Sequence, residues 1–439
     1  MKRVGFYTLG CKVNFAETEA MKVQFERAGY QIVSFLEPAE VSVINTCTVT
    51  GPSAHKSRKM IRRAHRKNPQ GIIVVTGCYA QGFPEEIKKI TGVDLIIGTH
   101  GREELPGLVK GLARQRPQNL VVPFPKKASF EMLPPFRQRG RTRGFLKIQE
   151  GCTAGCSYCV IPRTRGPLRS LPPEEAIARA GWMVRSGYRE IVLTGIHLGL
   201  YGVDLGAGEI TLAGLLAKLE EIPGLDRIRI SSLEPTDITG ELVEQVLGSS
   251  QVCPHFHIPL QSGDEEILER MNRRYTLSEY KYLVNWLRQL KPDLAISTDI
   301  MVGFPGETDQ HHRRSLEFVQ QVNFSRLHVF KYSPRPGTRA INFSGQVPAK
   351  VKDYRSSEMI ALGNEMAKAY RLSFIGSTEE VLIEKVSSAW GEGFTPHYIR
   401  VKTTLPGKSS CWQGKLIPVL LEKEEGSTLT GVPGLQLQI

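Results

Sequence analysis

Apolar and polar positions fall into three regimes along the chain. In the first, short apolar runs at residues 4–8, 41–44 and 72–75 read as strands, separated by helix-compatible sequence such as 17–29. Strands alternating with helices predict a parallel α/β sheet whose binding crevice lies beyond the carboxyl ends of its strands. In the second regime six strand-like segments, at 145–148, 191–193, 228–230, 255–258, 295–298 and 327–330, again alternate with helices. In barrels so built, polar residues that follow the strand ends form the site. A largely polar helix over 349–370 closes this part. In the third regime runs at 376–384, 398–402 and 416–421 are divided by glycine and proline, the pattern of a small all-β barrel. Between the first two regimes, over 115–144, periodicity is lost. Pro117, Pro123, Pro125, Pro134 and Pro135 break the chain, and Arg137, Arg139, Arg141 and Arg143 give it a basic end. The expected division is an N-terminal domain over 1–114, a linker over 115–137, a core over 138–371 and a β-barrel over 372–439.

Composition narrows the class. With 439 residues, 41% hydrophobic and 23% charged, the chain can bury several cores and is not disordered. A formal charge of +13 favours a polyanionic partner such as RNA. One run, residues 55–67, is rich in Lys, Arg and His without an acidic residue, and Met60, Ile61 and Ala64 mark a narrow apolar stripe. It reads either as a solvated helix face or as a face for phosphates. No long apolar span points to a membrane, and eight cysteines in this length do not make a secreted disulfide framework. A reduced, cytoplasmic protein is expected.

Six of the cysteines carry the chemistry. Cys152, Cys156 and Cys159 follow Cys-x3-Cys-x2-Cys, close enough for one loop to wrap three thiolates around one metal centre. Three ligands leave a position open for an exchangeable group, whereas structural zinc sites are closed by four. Spacing does not identify the metal, so buried or zinc-bound thiols stay open at this point. Cys11, Cys47 and Cys78 each follow one of the first three strands, so a parallel sheet would bring them together as a second three-thiol site; plain packing of small thiols at strand ends is the alternative. Cys253 and Cys411 fit no pattern, and His257 reads as a packed strand histidine.

The cysteine loop with its flanks, GCTAGCSYCVIPRTRG followed by Arg169-Ser170, resembles the radical S-adenosylmethionine (SAM) superfamily and, within it, the methylthiotransferases. TLGCKVN, INTCTVT and VTGCYAQ are similar to the ligand segments of that family's N-terminal domain, and 372–439 resembles its closing TRAM barrel. The resemblance implies an open (β/α)6 partial barrel for the core. It implies two 4Fe-4S clusters, a radical SAM cluster on Cys152, Cys156 and Cys159 and an auxiliary one on Cys11, Cys47 and Cys78. It implies SAM recognition along the strand ends, for which Thr194, Ser232, Glu234, Gln261 and Ser262 are the candidates.

The implied reaction explains the cofactors. A hydrogen on an aromatic purine carbon is not usefully acidic, so a general base near neutral pH cannot take it, whereas a cofactor radical can. In the family scheme a 5′-deoxyadenosyl radical abstracts that hydrogen and a methylated sulfur joins the carbon. GCKVN followed by Glu17-Thr18-Glu19, with TGIHLGLYG at 194–202, resembles the branch acting on N6-threonylcarbamoyladenosine beside the tRNA anticodon; Phe15 and Arg163-Thr164 depart slightly from its usual wording. Other branches act on isopentenyladenosine in tRNA or on an aspartate of a ribosomal protein. A reading of another class is a metal-containing RNA-binding protein without turnover. The implied partners are a tRNA anticodon stem-loop, an electron donor such as flavodoxin or ferredoxin, and a sulfur source.

Overall fold

The computed structural model describes residues 1–112, 117–125, 127–137, 141–206, 210–405 and 409–434; Arg139 and the expected boundaries at 114 and 138 lie outside them. The N-terminal sheet contains β1 (Arg3–Thr8), β2 (Gln31–Val33), β3 (Val41–Thr46), β4 (Ile72–Gly77), β5 (Leu95–Ile96) and β6 (Gln118–Asn119), all parallel, in the order β2-β1-β3-β4-β5-β6. Its central strands read as unbroken apolar runs because both faces are covered. Val43 and Val74 pack with Met21 and Phe25 of the helix Lys12–Arg27, while Ile44, Ile73 and Val75 pack with Met60 and Ile61 of the helix Gly51–Lys67 on the other side. The basic run thus buries its apolar stripe and leaves its charges outward. The proline-broken stretch is not a bare tether: it contributes β6 and buries Phe130, Glu131 and Leu133.

The core carries β7 (Arg143–Lys147), a short antiparallel pair β8 (Gln149–Glu150) and β9 (Arg169–Ser170), then β10 (Glu190–Thr194), β11 (Arg227–Ile230), β12 (His255–His257), β13 (Ala295–Val302) and β14 (Arg326–Lys331). Two parallel sheets, β11-β10-β7 and β12-β13-β14, are joined by the parallel bridges Ile228–Val252 and Ser232–His257. The result is one curved wall of six strands, left open between β7 and β14. Side chains alternate across it. Ile191, Leu193, Ile228, Ile230, Phe256 and Ile258 belong to the main apolar core, whereas Glu190, Arg229, His255, His257 and Asp299 lie on the other, concave face and line a charged lumen. The helix Ala349–Leu372 packs along β14.

The C-terminal strands β15 (Thr378–Val386), β16 (Trp390–Phe394), β17 (Arg400–Thr404), β18 (Leu416–Glu425) and β19 (Thr428–Pro433) form a closed barrel in the order β15-β16-β17-β19-β18. Two of these five strands, β16 and β19, have no strand-like pattern because glycines interrupt them. The interruption is steric: a Cβ on Gly393 would lie 1.8 Å from the Leu382 carbonyl oxygen, and one on Gly431 would lie 2.0 Å from that of Leu420. The barrel's loop after β16 stops the strand-start end of the lumen. Arg229 donates to the carbonyls of Pro396 (2.7 Å) and Thr395 (3.2 Å), and Arg227 to those of Phe394 (3.1 Å) and Glu380 (2.6 Å). Among the described residues no helix is long and apolar enough to cross a membrane.

Candidate active site between two cysteine triads

The loop bearing Cys152, Cys156 and Cys159 is clamped at its base. Pairing of β8 with β9 brings residues 151 and 167 so close that a Cβ on Gly151, whose φ is +79°, would sit 1.7 Å from the Pro167 carbonyl oxygen. Only glycine fits there. The Cys152 N–H donates to Gly166 (3.1 Å), and that of Cys159 to Cys156 (3.1 Å). Gln149 ties the loop to the end of β10, its amide oxygen accepting from the N–H groups of Ile196 (2.9 Å) and His197 (2.7 Å). On the far side the Ser157 N–H donates to Met271 (2.9 Å) and the Ala340 N–H to Ser157 (2.9 Å). The three sulfurs are therefore held against the carboxyl ends of the strands. Burial pushes the Cys159 thiol up to about 12, with its two fellow thiols adding to the rise.

Two side chains that spacing did not flag attend these sulfurs. His197 places Nδ1 3.3 Å from the Cys152 sulfur and Nε2 2.7 Å from Asp237. Burial opposes its charge, but the Asp237 bond and the Cys152 thiol raise the ring to about 10. Arg273 donates to the Cys156 sulfur (3.4 Å) and pairs with Glu234. Their sequence signals, a lone histidine after a strand and an arginine in an Arg-Arg pair, are too common to be read.

The second triad is assembled by the sheet. Cys11, Cys47 and Cys78 follow β1, β3 and β4, and the Asn14 side chain is the peg between them. Its Nδ2 donates to the carbonyls of Leu9 (2.8 Å) and Thr46 (3.0 Å), and its Oδ1 lies 3.8 Å from the Cys11 sulfur and 3.9 Å from that of Cys78. A Cβ on Gly10 would meet the Cys47 Cβ at 3.1 Å, and one on Gly77, whose φ is +93°, would meet Asn45 Oδ1 at 2.3 Å. Burial raises the Cys47 thiol, and pushes that of Cys78 up to about 12 against the pull of Arg165.

Arg165 joins the two sites. It stands in the short helix after the cysteine loop, fully buried, and donates to the Cys78 sulfur (3.2 Å), to Glu150 (2.6 Å), to Glu17 and to Asn14. Glu17 also pairs with Arg102 (3.0 Å), which is held by Glu131, and with Lys147 (3.2 Å). Burial would raise the Glu17 and Glu150 carboxyls. The surrounding cations win, holding Glu17 well below the usual range and Glu150 at about 2. Removing one member of such a network leaves an uncompensated buried charge.

The five strand-end candidates take different places. Thr194 is buried on the lumen face of β10, Ser232 is exposed just after β11, and Glu234 is half-buried on Arg273. Gln261, at φ +67°, follows β12 and bridges to Ile300. Ser262 is buried, and its hydroxyl accepts from the Asp264 N–H (3.2 Å) and meets Ser315 (3.4 Å), which sets the turn. His257 is engaged by Ser297 (2.9 Å) and Asp299 (3.2 Å), and His328 shares the same Asp299 oxygen at 3.2 Å. Cys253 is buried in the barrel wall and Cys411 exposed on the C-terminal barrel, so neither adds a thiolate to either triad. Three sulfurs with no fourth cysteine suit a 4Fe-4S cluster that keeps one iron free; structural zinc takes a closed set of four. The donor sets at both triads fit such clusters.

Comparison with known proteins agrees in outline. Residues 3–98 match the model of the uncharacterized protein family UPF0004, and residues 146–319 that of the radical SAM superfamily. The chain is 44% identical over 408 residues to the threonylcarbamoyladenosine tRNA methylthiotransferase MtaB of Bacillus subtilis, covering 91% of this chain and 90% of that one. It is 36% identical to the tRNA-2-methylthio-N(6)-dimethylallyladenosine synthase of Pelotomaculum thermopropionicum, covering 98% of each. Among solved structures, the radical SAM methyltransferase TsrM of Kitasatospora setae, with cobalamin and a 4Fe-4S cluster bound, superposes with a TM-score of 0.58 over 78% of this chain and 77% of that one. At 14% identity that likeness is one of fold.

Proposed function

This chain belongs to the radical SAM methylthiotransferase family, and we propose that it places a methylthio group on carbon 2 of N6-threonylcarbamoyladenosine beside a tRNA anticodon. The observation that carries the reading is that Arg165, in the segment that closes the Cys152 loop, donates to the Cys78 sulfur and to Glu150, so one buried residue ties the two three-thiol sites together. One site alone would suit SAM cleavage; two suit a reaction that must remove a hydrogen and deliver sulfur to the same carbon. The choice of nucleoside is supported by the greater likeness to the B. subtilis protein, 44% against 36%.

When bound, a cluster on Cys152, Cys156 and Cys159 supplies the electron that cleaves SAM, and one on Cys11, Cys47 and Cys78 supplies or carries the sulfur. The chain's own residues place and protect. Thr194, Ser232, Glu234 and Gln261, at the strand ends beside the loop, are the proposed SAM contacts; Ser262 holds the turn that presents Gln261. Arg273 orients Glu234 and caps the Cys156 sulfur. The C-terminal barrel seals the lumen's far end, which excludes water from a radical reaction. The proposed divisions are an auxiliary-cluster domain that runs past residue 114 to include β6, the core to 371 and the barrel beyond. The outward basic face of Gly51–Lys67 is the proposed phosphate track for the anticodon stem-loop. Flavodoxin or ferredoxin as electron donor, and a separate sulfur source, complete the reaction. A reducing cytosol is the compartment this requires, because six thiols must stay free of disulfides.

The test is nucleoside analysis of tRNA from cells lacking the protein. Loss of 2-methylthio-N6-threonylcarbamoyladenosine is expected. Unchanged tRNA, with loss of a methylthio group from a ribosomal protein instead, would reject the reading. Anaerobically reconstituted protein should hold iron for two clusters and release deoxyadenosine from SAM; stoichiometric zinc without turnover would instead indicate a binding protein.

A further inference from the structure

Cations crowd the lumen, and nearly all of them are answered. Arg229 pairs with Glu190 (3.0 Å), Arg227 lies 3.8 Å from the same carboxylate, and Arg143 pairs with Glu384 (2.5 Å). Lys147 pairs with Glu17 and Glu150, and Arg273 with Glu234. His257 and His328 share Asp299. Lys12 is not answered: among the described residues its ammonium has neither a hydrogen bond nor an ion pair. Yet it is no ordinary surface lysine. It is accessible to solvent, and Ala16, one turn further along the same helix, packs with Phe145 and Val192 on the lumen side of β7 and β10, so the helix start carries Lys12 over the lumen whose wall includes Arg229, Arg143 and Glu190. An ammonium placed among paired charges, and left without a carboxylate of its own, is arranged for an anion that the chain does not supply.

Position identifies the anion. Lys12 directly follows Cys11, so its backbone lies next to the triad that the reading above assigns to sulfur delivery. On adenine, carbons 2 and 6 flank the same ring nitrogen. With carbon 2 turned toward the triad, the substituent on the 6-amino group comes within reach of a neighbouring long side chain. A threonylcarbamoyl group ends in a carboxylate; a dimethylallyl group is wholly apolar. We propose that Lys12 is a specificity-determining residue that pairs with the threonyl carboxylate of the substrate nucleoside, an assignment that rests on the substrate reading above.

The test compares two synthetic anticodon stem-loops, one bearing N6-threonylcarbamoyladenosine and one its carboxamide analogue, with wild-type and Lys12→Gln holoprotein. Binding is read by fluorescence anisotropy and KM by methylthio product; iron content and melting temperature report integrity. The expected result is that wild type prefers the carboxylate by on the order of tenfold to a hundredfold, as a charge-assisted contact implies, and that K12Q loses the preference with iron content unchanged. Lys12→Arg should keep part of it. K12Q with the wild-type preference, or a wild type that binds both RNAs equally while still modifying the carboxylate, overturns the assignment alone. A wild type that modifies neither RNA while still releasing deoxyadenosine from SAM overturns the substrate reading and this assignment with it. If K12Q loses iron, K12R settles the matter: a preference kept in whole or in part supports the pairing, and a preference abolished with iron retained refutes it.

Discussion

The two cysteine triads reach the same end by opposite routes. Cys152, Cys156 and Cys159 lie within one loop, and local backbone contacts hold it: a glycine pinched against Pro167, a two-residue antiparallel pair, and the Gln149 side chain. Cys11, Cys47 and Cys78 are strangers in sequence, collected because β1, β3 and β4 are adjacent, parallel and in register. A loop site can form wherever its short base closes. A sheet-end site exists only if the whole domain folds, and its precision depends on pegs such as Asn14 that measure one strand end against another.

This contrast can be broken at several points. The largest effects separate the triads. Cys156→Ala should abolish both deoxyadenosine formation and methylthio product, whereas Cys47→Ala should abolish product while deoxyadenosine still forms; chromatography of both in one assay decides it. A Cys47→Ala protein without SAM cleavage would show the triads to be one functional unit. Next comes the joint between them. Arg165→Met leaves the buried Glu17 and Glu150 with only Lys147 in common, and should cost about 3–5 kcal/mol in a denaturant melt. Arg165→Lys should recover only part, because a single ammonium cannot serve Glu17, Glu150, Asn14 and Cys78 together.

Acid probes the same joint. Glu150 is held at about 2 when folded, against an ordinary value near 4.5. Its contribution is therefore present above about pH 4.5 and lost as pH falls through that window toward 2. Unfolding free energy of the cluster-free protein should decline over this range, and Glu150→Gln should show a shallower decline; equal slopes would remove Glu150 from the joint. The smallest effects come from two glycines. Gly77→Ala adds a Cβ 2.3–2.7 Å from Asn45 and Thr46 and should cost about 2–3 kcal/mol and reduce auxiliary iron. Gly155→Ala, at φ +71° but with its nearest neighbour 3.8 Å away, should cost only about 1 kcal/mol and spare the iron of both sites.

Strand periodicity located the six strands of the curved wall, though not the short pair β8 and β9, and the three that carry the N-terminal cysteines, since a half- or fully buried strand must show its burial in its residues. It missed β16 and β19 because their glycines are required by close backbone contacts rather than by burial. Prolines made 115–137 look like a tether, although Glu131 in that stretch completes the shell around Arg102. The helix expected from residue 17 begins at Lys12, with Cys11 as its cap, so the cysteine and the lysine after it both belong to a helix start.

From its residues alone this chain declared a three-thiolate loop, three cysteines at strand ends, the α/β order of its elements and an excess of positive charge. Those are local properties, written in spacing and alternation. Which charges are answered was settled only in three dimensions: Arg165 meets Glu17 across 148 positions, Arg229 meets Thr395 across 166, and Lys12 meets no carboxylate among the described residues. Composition records how many charges a chain has, but pairing depends on which faces the fold turns toward each other, and a lumen bordered by segments far apart in sequence has no counterpart in the linear order.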